Sequence, residues 1–162
     1  MRPRPSPRSR SAHGGRDARG KQFVLIASQF HASISRSLIR GATSVLRRAG
    51  ASSHDIRLLW VPGAFELPVV AARAARSRPR PDAIIALGAL IRGETPQYEV
   101  LAHAVAHGLS HVAVTTRIPV TFGVIVAATL AQAAARAGGS MGNRGEEAAR
   151  AALDVLRLCE TR

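Results

Sequence analysis

The chain has 162 residues, 46% apolar and 20% charged, with a formal net charge of +13. That length and balance suit one globular domain with a sizeable core. A single cysteine, Cys159, excludes an internal disulfide and has no partner for a zinc cluster, so a reducing, cytoplasmic setting is expected.

The basic excess permits contact with nucleic acid or anionic surfaces, but a solvated surface accounts for it, and nucleic acid is not read as the main partner. Lys21 is the only lysine, an arginine bias that the base composition of a genome can produce. Residues 1–20 are rich in Arg, Ser, Pro and Gly and lack an apolar stretch, so they read as a disordered tail and not as a secretory signal. Pro3, Pro5 and Pro7 argue against the amphipathic helix of an organellar transit peptide. The domain is expected over residues 21–162. The longest apolar stretch, Ile118 to Ala135, is broken by Pro119, Thr121, Thr129 and Gln132, so no membrane span is expected.

From residue 22 strands and helices alternate. Phe23–Ala27 reads as a short buried strand. Ile34, Leu38, Ala42, Val45 and Leu46 are helically spaced within 33–49, and Gly50 ends that helix. Ile56–Val61 reads as a strand and 65–77 as a helix. Ala83–Leu90 is a second buried strand, 96–115 a helix and Val120–Val126 a fourth strand. Helices over 129–137 and 146–158 close the chain around the glycine-rich loop Gly138–Gly145. Unbroken apolar strands separated by helices imply a parallel sheet covered on both faces.

Two segments carry the most chemistry. Val61-Pro62-Gly63-Ala64-Phe65-Glu66-Leu67-Pro68 and Gly88-Ala89-Leu90-Ile91-Arg92-Gly93-Glu94-Thr95-Pro96 each run from a strand end through glycine into a helix start. Open α/β sheets bind ligands at such ends. Thr95 is expected to cap a helix with Pro96 at its first position, leaving backbone N–H groups free for a phosphate. Glu66 can accept from ligand hydroxyls or simply suit the helix dipole. Phe30 and Phe122 can stack on a planar ring or pack in the core. Arg136 and Arg144 frame the late glycine loop and can pair with phosphate or remain solvated. His103, His107 and His111 share a helix face, but no carboxylate or cysteine joins them, and no metal site is expected. The absence of Gly-x-x-x-x-Gly-Lys, Gly-x-Gly-x-x-Gly and Gly-x-Ser-x-Gly weighs against nucleotide hydrolysis, dinucleotide binding and serine hydrolysis.

Together with Ala27-Ser28-Gln29-Phe30, Pro119-Val120-Thr121-Phe122-Gly123-Val124, Arg136-Ala137-Gly138 and Gly142-Asn143-Arg144-Gly145, these motifs resemble the lumazine synthase family from about Phe23 to Leu158. The resemblance implies an α/β flavodoxin-like three-layer sandwich, with a four-stranded parallel sheet and helices on both faces. It implies a homo-oligomer, a pentamer or a shell built from pentamers, with sites between neighbouring subunits. The implied reaction condenses 5-amino-6-(D-ribitylamino)uracil with 3,4-dihydroxy-2-butanone 4-phosphate, without cofactor or metal.

By that resemblance Phe30 stacks on the pyrimidine, while Ala64, Phe65, Glu66, Ala89, Leu90 and Ile91 line ring and ribityl contacts. Glu94 and Thr95 cradle the phosphate, Phe122 closes the pocket, and Arg136 reaches the phosphate from the adjacent subunit. Arg144 stands where the family usually has lysine. Gln97 stands at the position of the family's proton-carrying histidine, and glutamine cannot take up a proton at neutral pH. Val126-Ala127-Ala128-Thr129 lacks an acid common in the family, and His31 replaces a common asparagine. Two functions follow: a lumazine synthase with weakened acid–base catalysis, or a non-catalytic relative acting as a shell or ligand-binding protein.

Overall fold

A computed structural model describes residues 17–160. Of the expected tail, residues 1–16 lie outside the described residues. Residues 17–20 are docked on the domain: Ala18 is fully buried, its N–H donates to the Ala49 carbonyl at 2.9 Å, and the Arg19 stem lies over Gly50.

Strands β1 (Phe23–Ser28), β2 (Ile56–Val61), β3 (Ala83–Ile91) and β4 (Val120–Ala127) form one parallel sheet in the order β2-β1-β3-β4. Helices α1 (Ala32–Arg48), α2 (Leu67–Ala74), α3 (Gln97–Thr116), α4 (Leu130–Arg136) and α5 (Arg144–Glu160) cover it. This is the expected flavodoxin-like three-layer sandwich.

The central strands read as unbroken apolar runs because both their faces are covered. Phe23, Leu25, Ile85 and Leu87 point to a core shared with Leu38 and Leu46 of α1 and Ala149 and Leu153 of α5. Their neighbours Val24, Ile26, Ile84 and Ala86 point the other way, to Leu67 and Ala71 of α2 and Val105 and Leu109 of α3. Burying one such large side chain contributes about 1.5–3 kcal/mol, so these two faces outweigh the tenths of a kcal/mol in local helix propensity.

The strand order reverses between β1 and β3, where open α/β sheets leave a crevice. There Gly88 of β3 backs onto the buried Ser28 that ends β1. A Cβ at position 88 would collide with the Ser28 hydroxyl, so only glycine lets the two strand ends close up.

Three local features differ from the sequence reading. The helix expected from Phe65 is a 3₁₀ turn over Ala64–Glu66 followed by α2. The helix expected at Pro96 starts at Gln97. Pro96 occupies the capping position, and no side chain caps there. Proline disfavours a helical conformation in the residue before it, which leaves Thr95 outside the turn.

The third is the glycine loop, which contains a two-stranded antiparallel piece, β5 (Ala137–Gly139) and β6 (Gly142–Asn143). Gly138 and Gly142 take its left-handed positions, at φ of 101° and 81°. Asn143 then caps α5, its Oδ1 accepting the N–H groups of Gly145 at 2.8 Å and Glu146 at 3.2 Å. Its Nδ2 donates to the Ser37 carbonyl of α1 at 3.0 Å. Gly145 lies directly on the Leu38 carbonyl, so α1 and α5 approach as closely as a missing side chain permits.

Candidate functional site

Two cavities hold nearly all the candidate residues, and they share no lining residue. The first, of about 360 Å³, opens at the carboxyl ends of β1, β2 and β3 and faces the N-terminus of α3. Phe30 and His31 come from the turn after β1. Gly63, Ala64, Phe65 and Glu66 come from the turn after β2. Ala89, Leu90, Ile91 and Gly93 follow from β3, and Thr95, Gln97, Tyr98 and Leu101 from the start of α3. Phe30 and Phe65 are 69% and 59% exposed, large apolar surfaces facing the crevice.

Each turn is fixed locally. The N–H groups of Gln29 and Phe30 donate to the Val61 and Pro62 carbonyls, tying the end of β1 to the end of β2. The Glu66 carboxylate accepts the Gly63 N–H at 2.9 Å and closes the turn after β2. The Tyr98 hydroxyl donates to Glu99 Oε1 at 3.0 Å, and that bond, with burial, raises its pKa above the ordinary phenol value. The leading N–H groups of a 20-residue helix meet the cavity at Gln97 and Tyr98, and such an end favours an anion. Glu94 lines neither cavity and is exposed.

The second cavity, of about 560 Å³, runs along β4 past α4 and the β5–β6 hairpin. Phe122, Val124, Ile125, Val126 and Ala127 form one side; Gln132, Arg136, Met141 and Arg144 form the other. The two arginines are not freely solvated. Arg136 Nη2 and Arg144 Nη1 both reach Glu147 Oε2, at 3.2 and 2.9 Å, and Arg136 also donates to the Met141 carbonyl. Two guanidinium groups on one carboxylate leave one positive charge in excess, which suits an anion presented to this face.

The profile of the 6,7-dimethyl-8-ribityllumazine synthase family matches residues 20–160, nearly all of the described chain. The chain belongs to this family. It is 44% identical over 145 residues to the 6,7-dimethyl-8-ribityllumazine synthase of Chlorobium phaeobacteroides, covering 90% of this chain and 93% of that one. It is 47% identical over 139 residues to that of Gemmatimonas aurantiaca, covering 86% and 84%. It is 44% identical over 149 residues to that of Prosthecochloris aestuarii, covering 92% and 96%. The family makes the protein a transferase of riboflavin biosynthesis.

Within this lumazine synthase fold the sequence reading missed Tyr98 and Leu101 in the first cavity and Gln132 and Met141 in the second, and it named His31 only as a departure from the family pattern. Leu101 had a signal, because four positions after Gln97 falls on the same face of α3. Met141 had none, because a two-residue hairpin tip brings it over Arg136. His103, His107 and His111 lie exposed on α3, away from both cavities. No helix among the described residues is long and apolar enough to cross a membrane.

Proposed function

We propose that the protein condenses 5-amino-6-(D-ribitylamino)uracil with 3,4-dihydroxy-2-butanone 4-phosphate to give 6,7-dimethyl-8-ribityllumazine, phosphate and water. The site is built from the first cavity of one copy and the second cavity of its neighbour in a homo-oligomer, a pentamer or a pentamer-based shell. The carrying observation is the split itself. An apolar pocket with a helix N-terminus and an arginine-bearing surface occupy one chain without touching, and a ring of heterologous contacts would unite them. From Val100 to Thr116, α3 carries no Lys, Arg, Asp or Glu, yet Val100 and Val114 are 66% and 75% exposed. A neighbour covering that face accounts for both facts.

In the joined site Phe30 stacks on the pyrimidine. Ala64, Phe65 and Glu66, with Ala89, Leu90 and Ile91, hold the ring and the ribityl chain. The phosphate lies at the N-terminus of α3, beside the Glu94–Thr95 backbone, and Arg136 and Arg144 reach it from the neighbour. Phe122 closes the neighbour's side. The amine attacks the ketone, an imine forms, phosphate leaves, the ring closes and water is lost. Holding the partners together and stabilising the departing phosphate supply most of the acceleration. Gln97 offers a hydrogen bond in place of proton transfer, and one general acid–base group is worth roughly 10²–10⁴ in rate. A non-catalytic homologue is the second reading, and Gln97 is the residue that favours it.

The test is to follow lumazine absorbance with both substrates against the uncatalysed condensation. A clear excess over background supports the enzyme. A rate equal to background for wild type and for Gln97→His leaves only ligand binding or assembly.

A further inference from the structure

Imine formation moves protons at near-neutral pH, and the first cavity offers few groups to move them. Thr95 and Gln97 do not ionise in that range. Glu66 closes the turn after β2 through the Gly63 N–H. Tyr98 donates a hydrogen bond from its hydroxyl to Glu99, and that bond pushes its pKa upward, so it holds the proton more tightly. The remaining ionisable side chain lining the cavity is His31, and imidazole is the side chain suited to exchanging protons near neutrality.

The backbone sets His31 apart as well. It stands at φ 60° and ψ 49°, one of two non-glycine residues with positive φ among the described residues. That left-handed conformation costs about 1–2 kcal/mol. Its carbonyl accepts the N–H groups of Ile34 and Ser35 at the start of α1, but its side chain caps nothing. Asparagine takes up the same left-handed conformation more readily, so the backbone of the helix start does not explain a histidine. The ring stands edge-on to Phe30 instead, centroids 4.7 Å apart at 80°, on the cavity wall.

We infer that His31 is the proton-transfer residue of this site, an inference that rests on the condensation proposed above. The amine lone pair attacks the ketone carbon, the C–N bond forms, and the carbonyl π pair moves to oxygen. His31 takes a proton from the resulting ammonium nitrogen and gives it to the alkoxide, leaving a neutral carbinolamine. It then takes up a proton from solvent and, as imidazolium, protonates the hydroxyl as the nitrogen lone pair forms C=N and the C–O bond breaks. Water leaves, and the second nitrogen proton passes through the imidazole back to solvent. Amine and ketone become imine and water, and His31 is restored.

The experiment is steady-state kinetics of lumazine formation against pH for wild type, His31→Asn, Gln97→His and the double variant. Asparagine keeps the left-handed turn and removes the proton carrier. His31→Asn is expected to lose roughly 10² or more in kcat with KM for both substrates little changed, and the shape of its kcat profile against pH to change. Gln97→His should restore more rate in that background than it adds to wild type. His31→Gly with free imidazole is the second measure, and imidazole should raise its rate. Wild-type kcat and pH profile in His31→Asn, a rise in KM with the profile kept, or no response of His31→Gly to imidazole would each overturn the role of His31 alone. Wild type without activity would overturn this role and the proposed condensation together.

Discussion

The two cavities are built by different means. The first is assembled from strand ends and the turns that follow them, held by main-chain contacts such as Gln29 and Phe30 to the end of β2. The second is assembled from long side chains, with Arg136 and Arg144 steered by a shared carboxylate on α5. A pocket made of backbone is specified by short motifs. A pocket made of side chains depends on how helices dock far along the chain. The first should therefore tolerate distant mutations that the second does not.

Gly145→Ala gives the largest expected effect. A Cβ there falls on the Leu38 carbonyl and pushes α5 from α1, at a cost of about 3 kcal/mol. The midpoint of thermal unfolding, measured at fixed protein concentration, should fall by roughly 10 °C. In the folded fraction, binding of the butanone phosphate should suffer more than binding of the pyrimidine. Equal loss for both substrates would break the contrast between the cavities.

Arg136→Ala comes next. Losing a charge-assisted contact to phosphate costs about 2 kcal/mol, so KM for the butanone phosphate should rise roughly 30-fold. KM for the pyrimidine should stay near the wild-type value. The same variant tests the split site by complementation with Phe30→Ala, a first-cavity variant. Mixed assemblies of the two should regain about a quarter of wild-type activity, because random neighbours join two intact halves that often. No recovery on mixing would confine the site to a single chain.

The smallest effect lies away from both cavities and serves as their control. Ser52 donates its hydroxyl to Asp55 at 2.7 Å and its N–H at 2.9 Å, and these bonds, with one from Gln22, hold the Asp55 pKa below the ordinary carboxylate value. A lowered folded-state pKa stabilises above the unfolded value of about 3.9, and that contribution is lost as pH falls from there through the folded value. Ser52→Ala should therefore flatten the acid end of the stability curve slightly, with kinetics at neutral pH unchanged. A kinetic change would tie this turn to the site after all.

The alternation of strands and helices was legible because β3 is apolar throughout and β1 is apolar up to its last residue, Ser28, a pattern that a sheet covered on both sides requires. The end of the first cavity was legible for a related reason: Gly63 and Gly88 punctuate the strand ends on which it sits. Less could be read where a contact spans the chain. The docking of Ala18 on Ala49, the turn of Asn143 onto Ser37 and the reach of Arg136 to Glu147 join residues whose spacing follows no helical or strand period. Thr95 looked like a helix cap by residue type, but the restriction that Pro96 places on it decided otherwise.

The sequence by itself determined the fold class, the family and the strand ends that carry the pocket, since each rests on periodicity, turn chemistry or a motif a few residues long. Only the tertiary structure decided that Phe122, Arg136 and Arg144 stand in a cavity apart from Phe30 and Glu66. It alone turned His31 onto the cavity wall, edge-on to Phe30. Those outcomes depend on where side chains meet after the sheet has twisted and the helices have packed, and no local pattern encodes that meeting.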